Sequence, residues 1–554
     1  MKTITAFFIL IAFLSSAVVV NTAAAVESKR TVDSAGFFNV VDFGAKGDGK
    51  ALDTDAVNRA IDAAAAKGGG TVYLPAGRYL CFSIRLKSNI TIFLDNGATV
   101  IAADPKTDHG SYDLPEPNEF DAYQDFGHTH WKNSLFWGIG VENVAIVGQG
   151  KIDGHGLTRR SPGPRKPRTA GETPASLGGG SKNAASPLGE TSDVKEMDGQ
   201  GNKAIALKLS RNVTLKDFTI FQGGHFALLA TGVDNLTIDN LRIDTNRDGL
   251  DIDACRNVTI SNTFVNSPYD DAIVLKSSYA LGFNRATENV TITNSQVSAF
   301  DIGSFLDGTY KTTLEAAPDK DRPTGRVKLG TESNGGFKNI VISNVTFNHC
   351  RGLALETVDG GTIEDVSISN LTMRDVTTSP IFIRLGARQR APQGTPIGAI
   401  HRVNISNVVA SGISQKYSAI IAGLKGHDVE DVRLSNIRLQ YKGGGTIADA
   451  QRAIPENENS YPEPSMFGIT PSSAFYIRHA RGITLDNVEV SYDAPDARPA
   501  FVLNDAKDIE FFRTNAGLSD AAKMFSLNNV LNFAVSQSRN LADTKLVRVE
   551  QKQF

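Results

Sequence analysis

Apolar and polar positions alternate with period two in short runs that recur along most of the chain. Each run follows one pattern: an Asn, an aliphatic residue, a polar residue, an aliphatic residue, and then Asn or Asp two residues later. It stands at Asn89 (NITI), Asn143 (NVAI), Asn212 (NVTLKD), Asn235 (NLTIDN), Asn257 (NVTISN), Asn289 (NVTITN) and Asn339 (NIVISN). It continues in altered form at Asp365, Val403, Asp431, Gly482 and Asp508. The shortest separations are 22, 23 and 26 residues. Period two gives short strands with one buried face, and a repeat of this length makes each group of strands one coil of a solenoid. The chain is therefore expected to be all-β, a right-handed parallel β-helix, with Asn side chains stacked in a ladder at a fixed turn. A β-sandwich would need hairpin turns and closer strand spacing. The NxT and NxS triplets fall on the ladder positions and read as structure, not as glycan acceptors.

Three stretches depart from this pattern. Asp53 to Ala65 has helical spacing, with Asp and Thr as capping residues at its start and Gly68-Gly69-Gly70 at its end. A lone amphipathic helix there suits a cap over the first coil, whose apolar interior must be covered. Residues 158–203 are rich in Pro, Gly, Ser, Arg and Lys and hold few aliphatics, so they read as a long insertion, either a flap over a groove or a solvated loop. The first 25 residues carry Lys2, an apolar run from Phe7 to Val20 and Ala23-Ala24-Ala25, the order of a cleavable signal peptide. The expected organisation is a signal peptide at 1–25, a linker at 26–37, one solenoid domain at 38–540 and a tail at 541–554. The mature protein is expected to be secreted or periplasmic, soluble and monomeric, without a membrane span.

A net charge of −3 and a pI near 6.3 over 554 residues leave no basic footprint for nucleic acid. Cys81, Cys255 and Cys350 are too scattered for a zinc site or a disulfide framework, and read as small buried apolar residues. No cofactor and no metal are expected.

The chemistry concentrates between Asn246 and Ser277, where Asp248, Asp251, Asp253, Asp270 and Asp271 lie. Asp248 precedes Asp270 by 22 residues and Asp271 by 23, one coil in either case. Parallel strands stand about 4.8 Å apart, so three carboxylates would meet on neighbouring rungs. Like charges that close raise one another's pKa, which suits proton transfer; the plain alternative is outward Asp at turns bonding backbone. Asp251 and Asp253 alternate with inward Leu250 and Ile252, and Lys276 with Ile273 and Leu275, so these charges should face out and either tune the cluster or pair with each other.

The motifs NRDGLDI and YDDAIVLKS, with DFGAKGDG near the start, resemble glycoside hydrolase family 28, the polygalacturonases and their pectin-cleaving relatives. The resemblance runs from about Phe38 to the last coils. It implies an inverting hydrolase of pectic polysaccharide, with Asp270 as the general acid and Asp248 and Asp271 activating the water. Inverting carboxyls usually stand roughly 6.5–9.5 Å apart, so these side chains must diverge from their rungs. The family's NTD is here Asn246-Arg247-Asp248, and its Gly-His-Gly is missing. Its Arg-Ile-Lys matches Arg326-Val327-Lys328 by letters, but Ala354-Leu355-Glu356 by counting coils, which is the preferred placement. Arg326 and Lys328 are then expected to line the groove and hold a uronate, while Glu356 would suit the hydroxyls of a neutral sugar such as rhamnose. Asp251, Lys276 and Arg384 are further candidate binding residues; Arg388 and Arg390, His225, Tyr310 and the loop Tyr461–Phe467 each have an equally good structural reading. A calcium-dependent polysaccharide lyase on the same fold and a non-catalytic carbohydrate-binding β-helix are the alternatives.

Overall fold

The alternating runs become three stacks of parallel strands, wound coil upon coil. The computed structural model describes residues 36–159, 194–317, 322–519, 522–539 and 541–554, and Gly36–Phe554 cluster as one unit. The signal segment and residues 160–193 lie outside the described residues.

One stack carries the site. Its central strands are β1 (Phe226–Thr231), β2 (Asp248–Asp253), β3 (Ile273–Ser277), β4 (Val327–Ser333), β5 (Leu353–Thr357) and β6 (Ile381–Leu385). Each pairs in parallel with the next. The register aligns Leu250, Ile273 and Val327 in one inward column and Leu275, Leu329 and Leu355 in another. These residues and Ile252 are fully buried in a single core running the length of the solenoid. The alternate positions, Asp251, Val274 and Lys328, share the outer face. Strand pleat alone thus separates an apolar interior from a chemically varied exterior.

The repeated Asn sits at the corner before the second stack. Asn143, Asn212, Asn235, Asn257, Asn289 and Asn339 each donate from Nδ2 to the Oδ1 of the Asn one coil earlier, at 2.8 to 3.1 Å. Their φ values lie between 52° and 57°, the left-handed region that Asn tolerates better than most residues. A second ladder runs from Asn294 through Asn344, Asn370, Asn407 and Asn436 to Asn487. Corner geometry and side-chain bond select the same residue, which is why the motif repeats.

The expected cap is α1 (Thr54–Ala66), which buries Ala56, Val57, Ala60, Ile61 and Ala64. Asp53 stands at the N-cap position, but its carboxylate accepts the N–H groups of Lys46 and Gly47 and makes no cap bond to the helix. The assigned insertion ended at Lys203, yet that residue already opens the strand Lys203–Lys208 and is fully buried. The supposed tail is also structured: Thr544–Gln553 pairs antiparallel with Phe525–Ser536 and covers the last coil. All three cysteines are buried and unbridged. No helix among the described residues is long and apolar enough to cross a membrane.

Two loops rise beside the outer face of β1–β6. One, residues 103–135, precedes the strand Phe136–Ile139 and contains the 3₁₀ turn Phe126–His128; the other, residues 444–474, contains Pro464–Phe467.

Candidate active site

One coil of separation brings Asp248, at the start of β2, against Asp270 and Asp271 at the entry to β3. One oxygen of each carboxylate lies within 4.8 Å of the others. The backbone N–H of Asp271 donates to Asp248 Oδ1 and to Asp270 Oδ1, both at 3.1 Å, which locks the trio to the chain. All three side chains are buried. Burial, then the charge of Asp270, pushes Asp248 well above the usual carboxylate range. Three such carboxylates could also hold a divalent cation.

The outward acids and Lys276 pair with each other. Lys276 Nζ lies 2.9 Å from Asp251 Oδ2, 3.4 Å from Glu332 Oε2 and 3.9 Å from Asp248 Oδ2. Burial works against its charge, but these carboxylates raise its pKa well above the ordinary value. His128, from the first loop, completes this group, with Nε2 against both Lys276 Nζ and, at 3.2 Å, Asp251 Oδ2. Asp253, one register step along, accepts the N–H and hydroxyl of Ser278; burial raises its pKa to about 6.

On the other side, β4 delivers Arg326 and Lys328 to Asp271. Arg326 Nε donates to Asp271 Oδ1 at 2.8 Å, and Lys328 Nζ lies 3.2 Å from Oδ2. The same cations face Glu356 of β5 at 3.6 and 3.4 Å. The second loop adds the Tyr461 hydroxyl, 3.0 Å from Lys328 Nζ, and Glu463, which binds both Arg326 and Arg351.

This network corrects the expected binding roles. Arg326 and Lys328 do lie one coil beyond the Asp pair, but each is only 1% exposed and is committed to carboxylates, so neither stands open to a uronate. Glu356 is fully buried between them and does not present its oxygens to sugar hydroxyls; burial raises its pKa to about 7. Arg384 donates to the carbonyls of Gly423 and Glu456 and lies over the Phe467 ring, so it braces the loop rather than meeting a polyanion. Arg388 pairs with Asp359 and Glu332, and Arg390 with Asp125. Met466 and Phe467 pack over Phe382 and Tyr476, so the aromatic loop covers the later coils. His225 faces the Arg159 carbonyl and Arg247, whose Nε approaches Asp270 Oδ2 at 3.4 Å. Tyr310 is half-exposed and edge-on to Phe300.

His128, Glu332 and Glu463 were not anticipated. Glu332 lies in the strand run that supplies Arg326, and its place could have been found by extending the outward column. His128 and Glu463 come from loops over a hundred residues away from their partners, where no period reaches.

Comparison with known proteins gives a model of glycosyl hydrolases family 28 matching residues 109–458, and a model described as rhamnogalacturonase A/epimerase, pectate lyase-like, matching residues 37–147. A probable polygalacturonase of Vitis vinifera is 22% identical over 72% of this chain and 74% of its own length. An exo-poly-alpha-D-galacturonosidase of Dickeya chrysanthemi is 23% identical over 74% and 68%. Among solved structures, an exopolygalacturonase from Thermotoga maritima superposes with a TM-score of 0.55 at 19% identity, over 93% of this chain and 95% of that one. A family 28 exopolygalacturonase of Yersinia enterocolitica gives 0.54 at 19% identity, over 90% and 78%.

Proposed function

Since this chain belongs to glycosyl hydrolases family 28, and is a glycosidase on that ground, we propose that it hydrolyses a pectic polysaccharide with Asp270 as proton donor and Asp271 and Asp248 activating the water. The observation that carries this reading is the meeting of the three carboxylates within 4.8 Å, with Asp271 held by Arg326 and Lys328. The two cations favour the charged form of Asp271, while burial and the charge of Asp270 push Asp248 well above the usual carboxylate range, so the cluster can hold a proton for Asp270 to donate. One protonated carboxyl for the leaving oxygen and one ionised carboxylate for the water are what glycoside cleavage requires. Family membership supports inversion; the oxygen separations are shorter than the roughly 6.5–9.5 Å usual between inverting carboxyls, so the anomer of the first product is the deciding measurement. Relatives named as polygalacturonases support a pectic chain, and the apolar opening Phe7–Val20 supports export.

The finer substrate follows from the charge of the flank. Arg326 and Lys328 are already engaged by Asp271 and Glu356, and Arg351 by Glu463, so a uronate would have to compete with the protein's own carboxyl groups for these cations. A rhamnose-containing or branched pectic fraction is therefore the proposed substrate over plain polygalacturonate. Chromatography of the products from a panel of pectic fragments tests both levels. Faster release from unmodified polygalacturonate overturns the specificity, and no cleavage of any pectic fragment overturns the function. Unsaturated products would instead favour the lyase reading, which the clustered carboxylates also allow.

A further inference from the structure

We propose that Glu463 is a positioning residue for the reaction: from a loop remote in sequence, it sets the Asp271 carboxylate through Arg326. This rests on the reading of Asp271 as an ionised, water-activating carboxylate.

A guanidinium is a rigid planar fork, so fixing one edge fixes the direction of the other. In Arg326 the two edges are divided between two acids. Nη1 and Nη2 donate to the two oxygens of Glu463 at 3.2 and 2.8 Å, and Nε donates to Asp271 Oδ1 at 2.8 Å. Glu463 thereby determines where the Nε–H points, and the Nε–H determines where Asp271 stands.

The anchor is itself held. Arg351 Nη1 donates to Glu463 Oε2, the oxygen that Arg326 Nη1 also reaches. The loop around Glu463 is pinned by Met466 and Phe467, buried against Ala354, Phe382 and Tyr476, and by Tyr461 on Lys328. Arg326 and Glu463 are each 1% exposed, and Asp271 is 2% exposed, so water does not screen the chain of contacts. The carbonyl of Arg326 also accepts the N–H of Ala272, the residue after Asp271, which couples the two rungs through backbone as well.

The charge of Glu463 has a separate effect. It shares the positive charge of Arg326 with Asp271; without it, Arg326 would hold Asp271 ionised to lower pH. Asp271 also feels Lys328, Asp248 and Asp270, and Lys328 and Arg326 feel Glu356 and Tyr461. Geometry and charge are therefore separable by two substitutions in the full-length enzyme.

Glu463→Gln keeps size and removes charge. It is expected to move the acid limb of the kcat/KM profile down by roughly half a pH unit or more and to lower kcat, with KM little changed. Glu463→Asp keeps charge but withdraws the carboxylate by one methylene. It is expected to lower kcat about tenfold or more through misplacement of Asp271, with the limb in place. Both are compared with the parent by melting temperature and circular dichroism. A folded Glu463→Gln enzyme with parental kcat and acid limb overturns the proposal. Should that variant fail to fold, parental kcat in Glu463→Asp overturns it instead. Asp271→Asn is measured alongside: near-normal turnover there shows that the assignment of Asp271 has failed, and the role of Glu463 with it.

Discussion

On one side of the acid cluster a single ammonium serves three carboxylates, with Lys276 at 2.9 Å from Asp251, 3.4 Å from Glu332 and 3.9 Å from Asp248. On the other side two cations, Arg326 and Lys328, reach Asp271 at 2.8 and 3.2 Å. Both flanks are buried and both are tied to a loop, the first through His128 and the second through Tyr461 and Glu463. What differs is how closely the cations approach the acid trio. Burial and the charge of Asp270 push Asp248 well above the usual carboxylate range, with Lys276 too distant to offset them, whereas Asp271 meets two cations at close range. An acid raised by burial and by its neighbour thus stands beside a carboxylate paired to two cations, the kind of divided environment that acid–base hydrolysis needs.

The largest expected effect comes from destroying the shared proton. Asp270→Asn removes the group proposed to protonate the leaving oxygen, and positioned general acid catalysis is worth roughly 10²–10⁴ in rate. Turnover on pectic substrate should fall by about that factor, with the melting profile unchanged. The substitution also removes the second-largest influence raising Asp248, so the remaining activity should depend less on low pH. Near-parental turnover would remove Asp270 from the mechanism and leave the contrast between flanks without a consequence.

How much of this was legible in the sequence depends on how each contact is fixed. Aliphatic alternation and corner Asn residues are local and repeated, so the solenoid and the first ladder followed from them. Asp248, Asp270 and Asp271 were found because one period separates them, and Asp251 with Lys276 because pleat alternates. The charges of Arg326, Lys328 and Glu356 were equally visible, but not their state. A cation on an outer face reads as open until a loop is known to cover it, and Glu463 sits 137 residues from Arg326. His128 is likewise set by the path of an irregular loop. The coils themselves are written in periods, while the burial that tunes the acids is written in loops, which have none.

A smaller effect should appear in stability, and it belongs to the Lys276 side. Asp253 is fully buried next to that group, and burial pushes its pKa up to about 6, above the ordinary carboxylate range. A carboxyl raised in the folded state favours folding while protonated, and that contribution is lost as pH rises from about 4 through 6. By ordinary linkage the loss amounts to roughly 3 kcal/mol at neutral pH. Thermal melting of the parent should therefore decline between pH 4 and 7, and Asp253→Asn should flatten that decline. An unchanged slope would mean that Asp253 is not the buried acid responsible.

The smallest expected effect is none, and it separates the two readings of the cluster. A divalent cation held by Asp248, Asp270 and Asp271 would need all three ionised. The flanks argue otherwise, because Asp248 is raised by burial and by Asp270 while Asp271 already has Arg326 and Lys328 on its oxygens. A cation placed there would have to displace a shared proton and compete with two fixed positive charges a few ångströms away. Acid–base hydrolysis asks for no such ion. Exhaustive chelation should leave the rate on the pectic substrate unchanged. The same treatment should leave the pH profile unmoved, since no proton is exchanged for metal in the cluster. Loss of turnover restored by calcium would show that the three acids act together as ligands, and the division of labour between Asp270 and Asp271 would fall with that result.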